Sequence, residues 1–220
     1  MLSCLREVYG QRSQPGADNH DLVEMKRAYL VDTRRQIRLY QCWETIRILE
    51  DNVDHIEFYE PEHSEAGVAS TDFRVTAHPE GGHVTYAGAT KSPRFPDGRH
   101  LRLDFDRRFQ TGDVISFGWE EAVTFGPAVT HWTQYFVTTL ATNDNYTLDM
   151  TVTFEGELPA LVWSFEASAH ADPHGIEPTA DRILIPDENA TYMAHGDSCE
   201  RRLDYGIIWR WSDWESSSDA

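Results

Sequence analysis

Positive charge is scarce in this chain. Its 220 residues include 19 Lys and Arg against 37 Asp and Glu, a formal net charge of −18, and its lysines are Lys26 and Lys91 alone. A strongly acidic surface repels nucleic acid and anionic membranes and keeps a protein in solution. We therefore expect no direct contact with nucleic acid or membrane, and either a protein partner or a small ligand.

Long apolar runs and clustered cysteines are also missing. No stretch approaches the roughly 20 apolar residues of a membrane-spanning helix, and MLSCLREVYGQRSQPG has charges where a signal peptide needs its apolar centre. Cys4, Cys42 and Cys199 stand far apart without C-x-x-C spacing, which is typical of reduced structural thiols. The sequence predicts a cytoplasmic protein with one substantial domain that needs no cross-links to bury a core.

Short segments with a two-residue period are what the sequence has in abundance. In YTLDMTVTF, apolar side chains alternate with Thr and Asp, as expected of a strand with one buried face: Tyr146, Leu148, Met150, Val152 and Phe154. HLRLDFDRRF, at 100–109, repeats this alternation. Both segments are therefore predicted to be half-buried strands.

Further segments bounded by Gly, Pro, Asp or Asn predict more strands: TDFRVTAH, HVTYAGA, DVISFGWEEAVTF, HWTQYFVTTLAT, PALVWSFEAS, RILIP and YGIIWRW. About nine strands thus follow one another without a helix between them. Parallel strands need long, usually helical crossovers, so this succession predicts antiparallel sheets. The predicted fold is mainly β, an antiparallel β-sandwich of the immunoglobulin-like or jelly-roll-like kind.

The first sixty residues have a less regular pattern. HDLVEMKRAYL suits one or two helical turns, whereas IRLYQCWETIRILEDNVDHIEFY is rich in Ile, Tyr, Trp and Thr, which favours two strands that turn at EDNVD. The predicted organisation is a partly helical N-terminal extension over 1–33, a β-sandwich domain over 34–214 and a disordered acidic tail over 215–220.

The order of these features resembles a known kind of domain. The segments IRILEDNVDHIEFY, FQTGDVISFGWE, THWTQYFVTTL, NYTLDMTVTFEGELPALVWSF and YGIIWRW resemble the β-rich accessory domain that follows the helix-turn-helix in some actinobacterial XRE-type regulators. The resemblance implies a regulatory accessory domain and supplies no site residues. Residues 1–33 are too few for a three-helix DNA-binding unit, so the resemblance implies an accessory module without its DNA-binding part.

The best candidate metal ligands lie in the motif HADPH. His170, Asp172 and His174 occupy alternate positions, and His195 of HGDSC could join them as a further nitrogen ligand. A zinc ion held there would make the chain a metal-assisted enzyme. The alternative is that these polar residues belong to an ordinary solvent-exposed loop and bind no metal. The acidic loops TNDN and ADPHGIEPTAD could instead hold calcium. We expect no resident cofactor, with zinc or calcium as the alternatives.

Two other pairs of residues have the chemical types of catalytic groups but the wrong spacing for catalysis. Cys199 follows His195 by four residues, a spacing that brings side chains together on a helix but not on a flat strand, so an activated thiolate is not expected. Glu120 and Glu121 are adjacent and would point to opposite faces of a strand, which is wrong for a cooperating acid and base. Glu121 is predicted to mark the emergence of its strand into solvent.

The aromatic residues, 7 Trp, 9 Tyr and 10 Phe, admit two interpretations. Four tryptophans keep the parity of aliphatic neighbours and are predicted to fill the core: Trp119, Trp163, Trp209 and Trp211. Trp214 has the opposite parity beyond the last strand and is the candidate ligand-binding residue. The favoured function is a non-enzymatic regulatory or protein-interaction module, with a carbohydrate or small-molecule binding module as the alternative and the metal-assisted enzyme after it.

Overall fold

The computed structural model describes residues 19–61, 68–91, 98–125, 134–140, 143–168, 171–201 and 203–212. They form twelve strands: β1 (His20–Val31), β2 (Ile37–Ile48), β3 (Val53–Pro61), β4 (Val68–Ala77), β5 (Val84–Lys91), β6 (Gly98–Phe109), β7 (Val114–Phe125), β8 (Gln134–Leu140), β9 (Tyr146–Phe154), β10 (Leu161–Ser168), β11 (Thr191–Cys199) and β12 (Leu203–Arg210). A short 3-10 helix, Pro173–Gly175, follows β10. In the part of the chain that the structure describes, no helix has the length and apolarity to cross a membrane.

The strands form one large sheet and two small ones. The six-stranded sheet has the order β11-β9-β1-β2-β7-β4, and the three-stranded sheets have the orders β10-β12-β8 and β3-β6-β5. Neighbouring strands are antiparallel except for β1 and β9, which run parallel from Glu24 opposite Thr147 to Val31 opposite Phe154. The whole run from β2 to β8 is the crossover that this parallel pair requires.

The core lies between the large sheet and the two small ones. The ring of Phe117 on β7 meets that of Phe105 on β6 edge-on, with centroids 6.3 Å apart. At the other end, the ring of Phe154 on β9 meets the indole of Trp209 on β12 at 5.4 Å. Side chains from all three sheets belong to one buried cluster. The prediction of a mainly β sandwich is therefore confirmed.

The strands β10 and β12 have buried side chains on both faces. Trp163 and Ile208 point away from the main core and form a second buried cluster, which Ile176 helps to cover. Arg210 fixes the covering segment, because its guanidinium donates two hydrogen bonds to the carboxylate of Glu177, at 3.2 and 3.0 Å. The same guanidinium lies 4.9 Å from the ring centroid of Trp163. This double burial explains the continuous apolar run YGIIWRW.

The predicted core tryptophans are confirmed. All four are at most 3% exposed: Trp119, Trp163, Trp209 and Trp211. The two described cysteines, Cys42 and Cys199, are buried thiols, as expected of structural residues.

The strands predicted around EDNVD are also confirmed. They are β2 and β3, but β2 lies in the large sheet and β3 in a small one, so they do not form a hairpin. The segment RILIP is not a strand and contributes one isolated bridge, between Ile183 and Trp163. The strand β11 was missed, because its Ala, Gly and Asp residues have low strand propensity.

The helical prediction for HDLVEMKRAYL is wrong, because this segment is β1, in the middle of the large sheet. A register shift between Leu22 and Glu24 explains the error. The shift places Leu22 and Met25, three residues apart, among the buried residues, and this spacing imitates a helical stripe. The β domain thus includes residues from His20 onward. Residues 1–18 and the predicted tail lie outside the described residues.

Candidate functional site

The face of the six-stranded sheet that points away from the core, called the outer face here, presents four cross-strand rows. Alternate residues of β1, β2 and β7 point to this side, while their neighbours enter the core. From one end to the other the rows are Leu30, Leu39 and Ala122; Ala28, Gln41 and Glu120; Lys26, Trp43 and Gly118; and Glu24, Thr45 and Ser116. The first row is apolar, and the last is polar.

Trp43 is an exposed aromatic residue that lies close against the sheet. A Cβ atom built on Gly118 would stand 2.7 Å from Cδ1 and 2.9 Å from Nε1 of the Trp43 indole. Only glycine permits this contact, because a methyl group there would push the indole away. The indole therefore rests over the backbone of β7, while the Trp43 side chain stays 38% exposed.

A groove of about 510 Å³ opens beside this indole, and its wall includes Glu24, Lys26, Thr45, Ser116 and His78. The Lys26 ammonium lies 3.0 Å from a carboxylate oxygen of Glu24, so the two charges cancel. The hydroxyls of Thr45 and Ser116 share a hydrogen bond of 2.8 Å. Glu44 also lines the groove, which therefore carries a net negative charge and is rich in hydrogen-bonding groups.

The His78 ring is fixed from outside the groove. Its Nδ1 accepts a hydrogen bond of 3.1 Å from the backbone N–H of Val84. The ring also packs on that of His83, with centroids 3.9 Å apart. These contacts set the orientation of the imidazole at the end of the groove.

An imidazole held by two carboxylates lies next to the row of Trp43. His195 on β11 contacts Asp149 of β9 through Nδ1 at 2.7 Å and Asp197 through Nε2 at 2.9 Å. The hydrogen bond to Asp149, followed by that to Asp197, raises the pKa of His195. Because both ring nitrogens donate in the charged form, the imidazolium has no lone pair for a metal or for proton abstraction. The arrangement is a hydrogen-bonded clasp between β9 and the edge strand β11.

Glu120 is buried and fully engaged by neighbouring side chains. Arg74 donates from Nε to one carboxylate oxygen at 2.6 Å, and Gln41 donates from Nε2 to the other at 3.1 Å. A carboxylate satisfied on both oxygens by a guanidinium and an amide serves the structure of the sheet rather than acid–base chemistry.

The prediction that Glu121 emerges into solvent is wrong, because Glu121 is 2% exposed. Its side chain lies on the core side, beside the cross-strand neighbours Tyr40 and Phe73. Glu120 and Glu121 do point to opposite faces of β7, as the alternation predicts.

The structure describes the side chains of only two of the four predicted metal ligands. Asp172 is exposed just before the 3-10 helix, and His195 lies on β11 in its clasp. His170 and the side chain of His174 lie outside the described residues, as does Trp214. Among the side chains that the structure describes, no group of three or more His, Cys, Asp or Glu could hold a metal. The four-residue metal site and the Trp214 site stay predictions.

Cys199 has the environment of an inert thiol. It is 1% exposed, and burial raises its pKa to about 11. A nucleophilic cysteine needs the opposite shift, toward thiolate at neutral pH. This agrees with the expectation that His195 does not activate it.

The loop TNDN uses its side chains to build local structure. The Asn143 amide accepts from the backbone N–H of Leu22 and donates to the carbonyl of the same residue, both at 2.9 Å. The Asp144 carboxylate accepts from the backbone N–H of Arg201 at 2.6 Å. These oxygens already have partners within the chain, and a calcium site there stays a prediction.

Sequence reasoning did not identify Trp43 as a functional candidate, although its parity carried a signal. In IRLYQCWETIRI, Tyr40 and Cys42 share the buried parity, whereas Trp43 shares its parity with Gln41 and Thr45. An aromatic residue in the polar register of a strand is a candidate for the surface. The contact of His195 with Asp149, 46 positions apart, had no such signal.

Comparison with known proteins gives likenesses of fold only. No family model matches this chain, and no curated protein matches it. A solved candidate protease of Parabacteroides distasonis superposes with a TM-score of 0.50 at 5% identity, over 88% of this chain and 41% of that one. The resemblance to XRE-type regulators stays a prediction.

Two further solved structures have lower scores. An M1 zinc metallopeptidase variant of Deinococcus radiodurans has a TM-score of 0.45 at 13% identity, over 88% of this chain and 43% of that one. Yeast LTA4 hydrolase in complex with bestatin has 0.43 at 11% identity, over 96% and 33%. This chain thus spans less than half the length of each of these proteins.

Proposed function

We propose that this chain is a non-enzymatic interaction module that docks a protein partner on the outer face of its six-stranded sheet. The observation that carries the proposal is the half-buried apolar row Leu30, Leu39 and Ala122 on the three adjacent strands β1, β2 and β7. A sheet face that meets only water usually carries polar residues. An apolar row there, followed along the strands by rows with charged residues, is typical of a binding surface.

The outer face has the dimensions of an interface. Six strands at a spacing of about 4.8 Å span roughly 24 Å, and the four rows extend about 20 Å along the strands. With the relief of its side chains, such an area can supply most of one side of a small interface. The partner that suits it has an apolar centre and a basic rim, because the chain carries a net charge of −18.

The fold comparison supports a role beside other domains. The Parabacteroides protein contains a similar fold over 41% of its length, so this architecture occurs within longer chains. The resemblance to regulatory accessory domains favours the same kind of role. Both considerations support a module that acts through contact with another protein.

Site-specific photo-crosslinking tests the proposal. A photoreactive amino acid replaces Leu39 on the outer face, or Ile185, which is 85% exposed in the loop before β11, as the control. We expect one defined protein adduct from position 39 in cells, none from position 185, and loss of the adduct when Leu30→Arg is added. Equal labelling from both positions, or no adduct from position 39, would contradict docking on this face.

A second candidate function, the binding of a carbohydrate or another small molecule, is favoured by one observation. The Trp43 indole lies against the backbone at Gly118 and borders the groove, which is the arrangement of a stacking platform. The metal-assisted enzyme stays a prediction that elemental analysis of the purified chain would test.

A further inference from the structure

We propose that the groove beside Trp43 binds a pyranose ring of an uncharged saccharide, stacked on the exposed side of the indole. This inference rests on the proposed function only in that the outer face is a binding surface. It assigns a second ligand and a separate location. The groove lies about 13 Å along β2 from Leu39, since four strand residues separate Trp43 from that row.

The indole of Trp43 is already fixed before any ligand binds, in a position suited to stacking. Its Cδ1 and Nε1 atoms lie so close to Gly118 that a Cβ atom there would stand 2.7 and 2.9 Å from them. A rigid aromatic plane loses little entropy when a ligand covers it. The C–H groups on one side of a pyranose form an apolar patch that matches such a plane, and both surfaces leave water on contact.

The polar groups of the groove suit the hydroxyls of a sugar. Each hydroxyl of Thr45 and Ser116 can donate and accept, and the 2.8 Å bond between them leaves further capacity on both. Glu24 offers acceptor oxygens, and Lys26 offers ammonium donors. A sugar hydroxyl also donates and accepts, so it can bond to the hydroxyl pair and to the ion pair at once. An apolar ligand would leave these groups without partners.

Charge selects an uncharged sugar over an anionic one. The charges of Glu24 and Lys26 cancel, while Glu44 adds a negative charge in the groove wall. Beside the groove, Asp149 and Asp197 place two carboxylates around the single imidazole of His195. The remaining field is negative, as is the charge of the whole chain, so uronic acids, sulfated sugars and nucleotides are repelled. A cation over the indole would meet the Lys26 ammonium at the same rim.

The size of the groove fits this ligand class. Its volume of about 510 Å³ lies within the roughly 300–1,000 Å³ of small-ligand sites. The site is open on the surface of a sheet, so a chain of sugars can pass over it with one ring on the indole.

The test uses the purified full chain and heteronuclear NMR of the tryptophan indole N–H groups. The probes are neutral oligosaccharides of glucose, xylose, mannose and N-acetylglucosamine, with oligogalacturonate as the anionic comparison. The resonance of Trp43 is assigned from its loss in Trp43→Ala. We expect one neutral series to shift this resonance saturably, and oligogalacturonate to leave it in place.

Three variants separate stacking from folding. Trp43→Ala is expected to weaken binding at least about tenfold, as for other ligands that lose an aromatic stacking partner. Gly118→Ala keeps the indole but displaces it, and we expect binding to weaken about three- to tenfold while the fold persists. Met193→Ala removes an apolar side chain that is 59% exposed on β11, outside the groove, and should leave binding unchanged.

Several outcomes would overturn the inference. They are the absence of a shift with every neutral series, equal affinity in Trp43→Ala, or tighter binding of oligogalacturonate. Shifts of Trp43 by an aromatic peptide but by no sugar would also overturn it. Photo-crosslinking from position 39 tests the protein-docking proposal independently of the sugar titration. If no sugar binds but position 39 still gives a defined protein adduct, the saccharide site is rejected and the proposed interaction module is retained.

Discussion

The two faces of the six-stranded sheet use the same strands for different purposes. On β2, Tyr40, Cys42 and Ile46 are buried in the core, whereas the intervening Gln41 and Trp43 reach the outer face. The core face gains its stability from apolar area removed from water. The outer face keeps an apolar row and an indole accessible, which costs solvation unless a ligand or partner covers them. Residues that stabilise the core and residues available for recognition therefore alternate along the same strand.

A tryptophan of the core and a tryptophan of the outer face show the difference between the two faces most clearly. Trp209 is 1% exposed and packs against Phe154 between two sheets, whereas Trp43 is 38% exposed over Gly118. We expect Trp209→Ala to lower the free energy of unfolding by about 3–5 kcal/mol, because it leaves a large cavity. Trp43→Ala should lower it by less, about 1–2 kcal/mol, because part of the indole already contacts water. Urea unfolding measures both, and similar losses would remove the distinction between the faces.

The ionic cluster of Glu120 makes part of the outer face structural. Glu120 is 7% exposed and bonds to Arg74, whose own side chain is 69% exposed. We expect Arg74→Ala to destabilise the chain by about 1–2 kcal/mol, since it leaves a buried carboxylate with one partner fewer. Solvent around Arg74 keeps the loss below that of a fully buried pair.

A double-mutant cycle isolates this interaction. Glu120→Gln combined with Arg74→Ala should cost less than the sum of the two single changes, because either one alone already breaks the pair. Arg47→Ala, an exposed arginine of the same face, is the matched control and should change stability by less than about 0.5 kcal/mol. Strict additivity in the cycle would mean that Glu120 and Arg74 do not stabilise each other.

Much of the fold could be predicted from the sequence, because alternation reports directly on a half-buried strand. In β9, buried residues alternate with half-buried ones from Tyr146 to Phe154 without interruption. The prediction failed where the alternation breaks. In β1 the shift between Leu22 and Glu24 gives a helical spacing, and in β11 small and polar residues hide the period. Which strands become neighbours depends on long-range packing, so the parallel pair of β1 and β9 had no local signal.

The candidate site was harder to predict than the fold. The groove depends on Gly118 of β7 lying opposite Trp43 of β2, a register that neither segment specifies alone. The clasp of His195 likewise depends on the pairing of β11 with β9. Parity alone could have identified Trp43 as a surface residue.

The thiol of Cys199 is buried in the core, and its reactivity with a solvent-borne reagent tests that burial. Burial raises its pKa to about 11, so the thiolate is scarce at neutral pH and becomes abundant only as the pH rises toward that value. We expect iodoacetamide to modify Cys199 at least about tenfold more slowly in the folded chain than in urea. Peptide mass spectrometry measures the rates, and rapid labelling of the folded chain would show that Cys199 is accessible.

The smallest effect is expected at the exposed clasp of His195. The hydrogen bonds to Asp149 and Asp197 raise the pKa of His195 above 6.5 in the folded chain. A raised pKa means that the folded state binds the proton more tightly, so the contribution of the clasp is complete below pH 6.5. It is lost as the pH rises through the higher folded value. Because the imidazole is exposed, we expect only a slight decline in melting temperature over that window.

Asp197→Asn distinguishes the clasp from the rest of the sheet. Asp197 lies at the solvent side of His195, and its replacement removes a negative charge without cutting the bond to Asp149. The NMR titration of His195 should then move to lower pH, and the difference in melting temperature between variant and parent should shrink as the pH rises. A His195 titration at or below 6.5 in the parent chain would mean that the carboxylates do not hold the imidazolium. The edge strand β11 would then depend on its backbone pairing with β9 and on its buried residues alone.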